Sequence, residues 1–130
     1  MKVSKLTDGA AITRWLDNRT VEVSFNGLIT AGLIDQLLKD FIAETDSRLP
    51  LCILFDATQA TGFNANARAG CSRFLTEFKV RGGREVLAVV SNLSLRMLGQ
   101  ALTFATGLPL KMFATREQAL SYIVSKLRSG

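Results

Sequence analysis

Histidine is absent from the 130 residues, and that absence removes more chemistry than any other feature of the chain. No Ser–His or Cys–His pair can be built, no imidazole can serve as a general base, and no zinc can be held through a histidine nitrogen. Cysteine is scarce too: Cys52 and Cys71 stand far apart and are too few to make a zinc site between them. Both occupy positions where a small apolar side chain is expected, so they read as buried free thiols. A single tryptophan, Trp15, and a single tyrosine, Tyr122, offer little for stacking nucleic-acid bases. No apolar run approaches the ~18 residues of a membrane span. The best stretch, Leu95–Leu110, is interrupted by Arg96, Gln100 and Pro109. Met1–Lys5 leads into polar residues and not into the apolar core of a secretion signal, so a cytoplasmic location is expected.

What is present is ordinary globular material. Hydrophobic residues make up 48% of the chain and charged residues 21%. The length suits one average domain, 1–130, able to bury a core without disulfide or metal staples. The net charge of +5 favours anionic surfaces but is too modest to imply nucleic-acid binding.

The hydrophobic period changes along the chain. Ala11–Leu16 and Arg19–Phe25 alternate as strands around an Asp17-Asn18 turn, with Val21, Val23 and Phe25 on one side and Glu22 and Ser24 on the other. Asn26-Gly27 is expected to end the second strand. Thr30 is placed to cap a helix whose stripe is Leu33, Ile34, Leu37, Leu38, Phe41 and Ile42. Leu51–Phe55 and Val86–Val90 are continuous apolar runs, the mark of strands buried on both faces. Between them a helix is expected from about Asn64 to Val80, stopped by Gly82-Gly83. Ser91-Asn92 caps the next helix, with Leu95, Leu98, Ala101, Leu102 and Ala105 inward, and Gly107 and Pro109 end it. After a short strand, Leu110–Phe113, Thr115-Arg-Glu-Gln118 has capping-box spacing. The last helix should turn Ala119, Leu120, Ile123, Val124 and Leu127 inward. The expected fold is α/β: one open, mainly parallel sheet of about five strands, opened by an antiparallel hairpin, with about four helices.

Ligands of such sheets gather where parallel strands end. Asp56 closes the third strand and opens a polar segment, read as a loop, that carries Thr58, Thr61, Phe63, Asn64 and Asn66 up to Arg68 at a helix start. Ser91 and Asn92 follow the next strand. These nine residues are the candidate partner- or ligand-binding set. The plainer alternative is a solvated loop with Asn64 as a helix cap. Phe63 is either a hydrophobic plug or an exposed contact. Asp56 has no second acid beside it, so two-carboxylate catalysis has little support. No catalytic residue, metal ligand or cofactor is expected.

The order of elements, the Leu51-Cys-Ile-Leu-Phe-Asp56 strand end and the closing Gly107–Ala119 segment resemble the STAS-like domains, specifically the SpoIIAA-like branch related to anti-sigma-factor antagonists. The resemblance covers nearly the whole chain. It implies a regulatory scaffold that binds protein partners. In true antagonists a phosphorylatable serine lies in an Asp-Ser-Ser-Gly segment eight residues after the strand-ending aspartate. Here that segment is Asn64-Ala65-Asn66-Ala67, so alanine stands where the switch serine would be. A more distant similarity to lipid-binding domains of the CRAL-TRIO kind implies the alternative, a carrier or sensor of a small apolar or anionic ligand such as a lipid, held between the sheet and the Ser94–Thr106 helix. A homodimer through the exposed edge of the first strand is a further expectation.

Overall fold

The alternating and continuous apolar runs assemble into one six-stranded sheet, seen in a computed structural model that describes residues 2–6 and 9–129. Strands β1 (Lys2–Leu6), β2 (Gly9–Trp15), β3 (Thr20–Ile29), β4 (Cys52–Phe63), β5 (Glu85–Val89) and β6 (Leu110–Phe113) lie side by side in chain order. The first three are antiparallel, and β3 to β6 are parallel. The helices are α1 (Ala31–Glu44), α2 (Ala67–Val80), α3 (Leu93–Thr106) and α4 (Arg116–Ser129). Right-handed crossovers that always step the same way along a sheet must put their helices on one face. Accordingly α1 packs on α2 and α2 on α3, while α4, which follows the last strand, covers the opposite face.

Three of the helix caps hold. Thr30 Oγ1 accepts from the Leu33 N–H at 3.1 Å, and Asn92 Oδ1 from the Leu95 N–H at 3.2 Å. Thr115 Oγ1 accepts from the Gln118 N–H, and Gln118 Oε1 reaches back to the Ala114 N–H, a reciprocal cap displaced by one residue. Gly83 is required by contact: a β-carbon there would stand 2.5 Å from the Phe78 ring. The larger core lies under α1 to α3, where Phe41 meets Phe74 at 4.8 Å and Phe78 at 6.4 Å between ring centres.

Several expectations need correction. A sixth strand, β1, precedes the anticipated hairpin and pairs Val3 with Ile12. The hairpin edge on that side is therefore formed by β1 and not by β2. Strand β3 does not stop at Asn26-Gly27 but runs to Ile29, and β4 runs through the segment read as a loop, to Phe63. The pairs Ser24–Asp56, Asn26–Gln59, Gly27–Ala60 and Leu28–Gly62 show two bulges, each giving β4 one residue more than β3. Helix α2 begins at Ala67, so the N-cap position falls to Asn66, whose side chain makes no capping bond. On the helices, Ala105 is exposed and Val124 is 46% exposed, so neither is core. The Leu127 side chain lies outside the described residues.

Candidate functional site

The rim where the parallel strands end is built by β4 outlasting β5. Strand β5 pairs with β4 only from Cys52 to Asp56. Beyond Asp56, β4 keeps β3 as its partner and has no strand neighbour on the other side. The Asp56 carboxylate covers the start of this free edge: Oδ1 accepts from the Thr58 N–H at 3.0 Å and from the Thr58 hydroxyl at 2.7 Å. Thr58, Gln59 and Thr61 are exposed along it. Phe63 is half-buried and packs on the core as a plug. The Asn64 N–H donates to the Ile29 carbonyl at 2.9 Å, which carries the β3–β4 pairing into the turn before α2. Asn64, Ala65, Asn66 and Arg68 are exposed in and just after that turn. From Ala57 to Ala67 the chain has no charged residue.

Ser91 and Asn92 follow β5, whose Val89 lies in register with Asp56. The Asn92 side chain is spent on capping α3. Ser91 is exposed and, with Arg96, Met112 and Ala114, lines a polar recess of about 260 Å³. The nine expected residues thus fall on one rim, in two groups: Asp56 to Arg68, and Ser91 with Asn92. Among the described residues no three of Cys, Asp and Glu come together as a metal-ligand set.

Sequence reasoning missed two polar clusters on the α4 face. Glu22 is fully buried and accepts from Arg116 Nε at 2.7 Å, Arg116 Nη2 at 3.0 Å and Arg14 Nε at 2.8 Å. Burial pushes its carboxyl up, but hydrogen bonds and charge from Arg116 and Arg14 outweigh that and hold it below the usual value. Arg116 Nε also lies 3.9 Å from Asp56 Oδ2, so the clasp reaches the rim. At the other end of α4, Glu85 accepts from the Tyr122 hydroxyl at 2.7 Å and from Lys126 at 2.6 Å. Burial, reinforced by Glu85, pushes the Cys52 thiol up to about 12, and burial alone pushes Cys71 up to about 11. Thiols this reluctant to ionise are poor nucleophiles at neutral pH. Alternation in β3 had put Glu22 on the side away from Val21 and Val23. What it could not show is that α4 covers that side.

On the other face, between the sheet and α2–α3, lies an apolar cavity of about 100 Å³. Phe55, Ala88, Leu102 and Met112 are among its walls, and the one hydroxyl there, Thr103 Oγ1, is already bonded to the Gly99 carbonyl at 2.8 Å.

No family model matches the sequence, and no curated protein matches it significantly. Solved structures do match. The anti-sigma factor antagonist SpoIIAA in its unphosphorylated form superposes with a TM-score of 0.67 at 14% identity, covering 87% of this chain and 96% of that one. An anti-sigma factor antagonist from Mycobacterium paratuberculosis gives 0.63 at 16% identity, covering 92% and 97%. An uncharacterised protein from Shewanella loihica with a SpoIIAA-like fold gives 0.65 at 16%, covering 92% and 96%. At such identities the likeness speaks for architecture, and the architecture of this chain is the SpoIIAA-like α/β fold.

Proposed function

We propose that the chain is a non-catalytic regulatory or protein-interaction module that docks its partner on the rim from Asp56 to Arg68 and works without the phosphorylatable serine of anti-sigma-factor antagonists. The observation that carries this reading is the free, uncharged stretch of β4 beyond Asp56, running into the exposed turn at Asn64–Asn66. A strand edge without a neighbour offers backbone donors and acceptors to an incoming chain. An antagonist-like fold supports the same reading, since two of the matching structures are described as anti-sigma factor antagonists. Two unbridged thiols fit a reducing cytoplasm. The test is affinity capture from the native cell with the wild-type chain, a Thr61→Arg/Asn66→Arg variant and a Val124→Ser control. A partner retained by wild type and control but lost from the rim variant supports the proposal. A partner retained by all three overturns it.

A second reading has its own observation. The apolar cavity under α3, about 100 Å³, favours a carrier or sensor of a small apolar ligand; it is of the order of the ~150 Å³ void that takes up benzene.

A further inference from the structure

The cavity and the polar recess beside Ser91 are neighbours: Val90 and Met112 line both. On the cavity side, walls such as Phe55, Ala88 and Leu102 are apolar, and the Thr103 hydroxyl is satisfied within its own helix. Nothing there would hold a water molecule, so the void suits a compact hydrocarbon group. On the recess side stand the Arg96 guanidinium and the Ser91 hydroxyl, both exposed. Among the described residues neither has an ion-pair or hydrogen-bond partner for its side chain. No aspartate or glutamate occurs between Glu85 and Glu117, so the chain supplies Arg96 with no acid of its own from this stretch.

Of the two side chains shared by both spaces, Val90 is stiff and Met112 is flexible. The Met112 methyl group would lie 3.2 Å from a β-carbon at Gly99, so the missing side chain at that turn of α3 is what leaves the thioether room. Methionine is unbranched and adapts its shape easily, which suits it to a movable plug. The half-buried residues of the cavity wall include Leu98, Gly99, Leu110 and Met112, all where α3 meets the edge strand β6.

We propose that these two spaces form one binding site for a small amphiphilic carboxylate, its branched short-chain alkyl group replacing the void behind Met112 and its carboxylate held by Arg96 and Ser91. This rests on the carrier reading and specifies its ligand. Binding is noncovalent, and the alkyl group must be short, because about 100 Å³ holds a group of isobutyl size.

The test uses 3-methylbutanoate, with acetate and 3-methylbutan-1-ol as controls for charge without tail and tail without charge. Binding is read from the methyl resonances of ¹³C-methionine-labelled protein, with Met112 assigned through a Met112→Leu variant. The proposal expects 3-methylbutanoate to shift Met112 saturably while Met97, exposed on the far side of α3, stays still. Arg96→Gln should weaken 3-methylbutanoate about fivefold, the size of one partly exposed charge pair, and leave the alcohol unchanged. Gly99→Leu should abolish the response to both, with Gly99→Ala as a milder variant should the larger one fail to fold. Equal binding of 3-methylbutanoate by wild type and Arg96→Gln overturns the carboxylate assignment but leaves the carrier reading standing. No response of Met112 to either the acid or the alcohol overturns both. Acetate acting as strongly as 3-methylbutanoate removes the alkyl half of the site.

Discussion

One face of the sheet carries three helices and most of the aromatic side chains; the other carries one helix and the Glu22 clasp. Under α1 to α3 cohesion comes from shape: Phe41 meets Phe74 and Phe78 in tilted and edge-on contacts, and Phe74 meets Phe55 of β4 edge-on. That face nevertheless leaves a void beside α3. Under α4 the apolar contact is small, centred on Leu54, Leu87, Val89, Ala119 and Ile123. There the helix is located by charge, with Arg116 at its first turn bound to Glu22 on β3 and Lys126 near its end bound to Glu85 on β5. The contrast shows a division of labour. Apolar burial supplies bulk stability without a demand for one geometry, whereas a buried carboxylate accepts only the arrangement that satisfies it.

The largest effect is expected from breaking the first face. Phe41 is 1% exposed and touches two other rings. Phe41→Ala should cost about 4 kcal/mol, the usual price of deleting a buried aromatic side chain, read as a lower urea midpoint with an unchanged slope. A loss below about 1 kcal/mol would mean that the aromatic cluster is not the centre of cohesion.

The second face should give a smaller loss with a pH signature. Arg116→Ala leaves Glu22 buried with Arg14 as its remaining partner, so the cost should be about 2 kcal/mol, less than for a fully orphaned charge. Because the folded-state carboxyl of Glu22 is depressed, its contribution is present above the ordinary glutamate value near 4.5 and fades as pH falls through the lower folded value. Wild-type stability should therefore decline in acid. Glu22→Gln should be less stable at neutral pH but flatter below pH ~4.5. Parallel acid profiles for the two proteins would show that Glu22 is not the titrating group.

The same contrast explains what could be read from the chain. Local signals survived: the Leu33–Phe41 stripe, the Thr30 and Asn92 caps, and the apolar runs of β4 and β5 depend on residues a few positions apart. Features fixed by distant partners did not. Strand β1 carries almost no alternation, because its buried Ser4 is satisfied by Asp40, 36 residues away. The stretch after Asp56 reads as a loop by its threonines, glutamine and glycine, and becomes strand only because β3 runs on beside it through two bulges. The Glu22–Arg116 clasp spans 94 residues and has no local trace. At the rim the positions were legible as the end of a parallel strand, but the free strand edge was not, since that depends on where β5 stops.

The smallest effect belongs to α3, which belongs wholly to neither pattern. Its inner side holds Leu95 and Leu102, yet Leu93, Met97 and Phe104 point outward along one stripe, with Phe104 91% exposed. A side chain that gains almost no burial on folding can contribute almost nothing to the folded state, however apolar it is. Phe104→Ser should therefore change the urea midpoint by no more than the equivalent of about 0.5 kcal/mol, even though Phe41→Ala alters the same residue type by several. A serine variant that loses more than ~1 kcal/mol would show that Phe104 is covered in solution by something it packs against, and the face under α1 to α3 would then extend past the helices that now bound it.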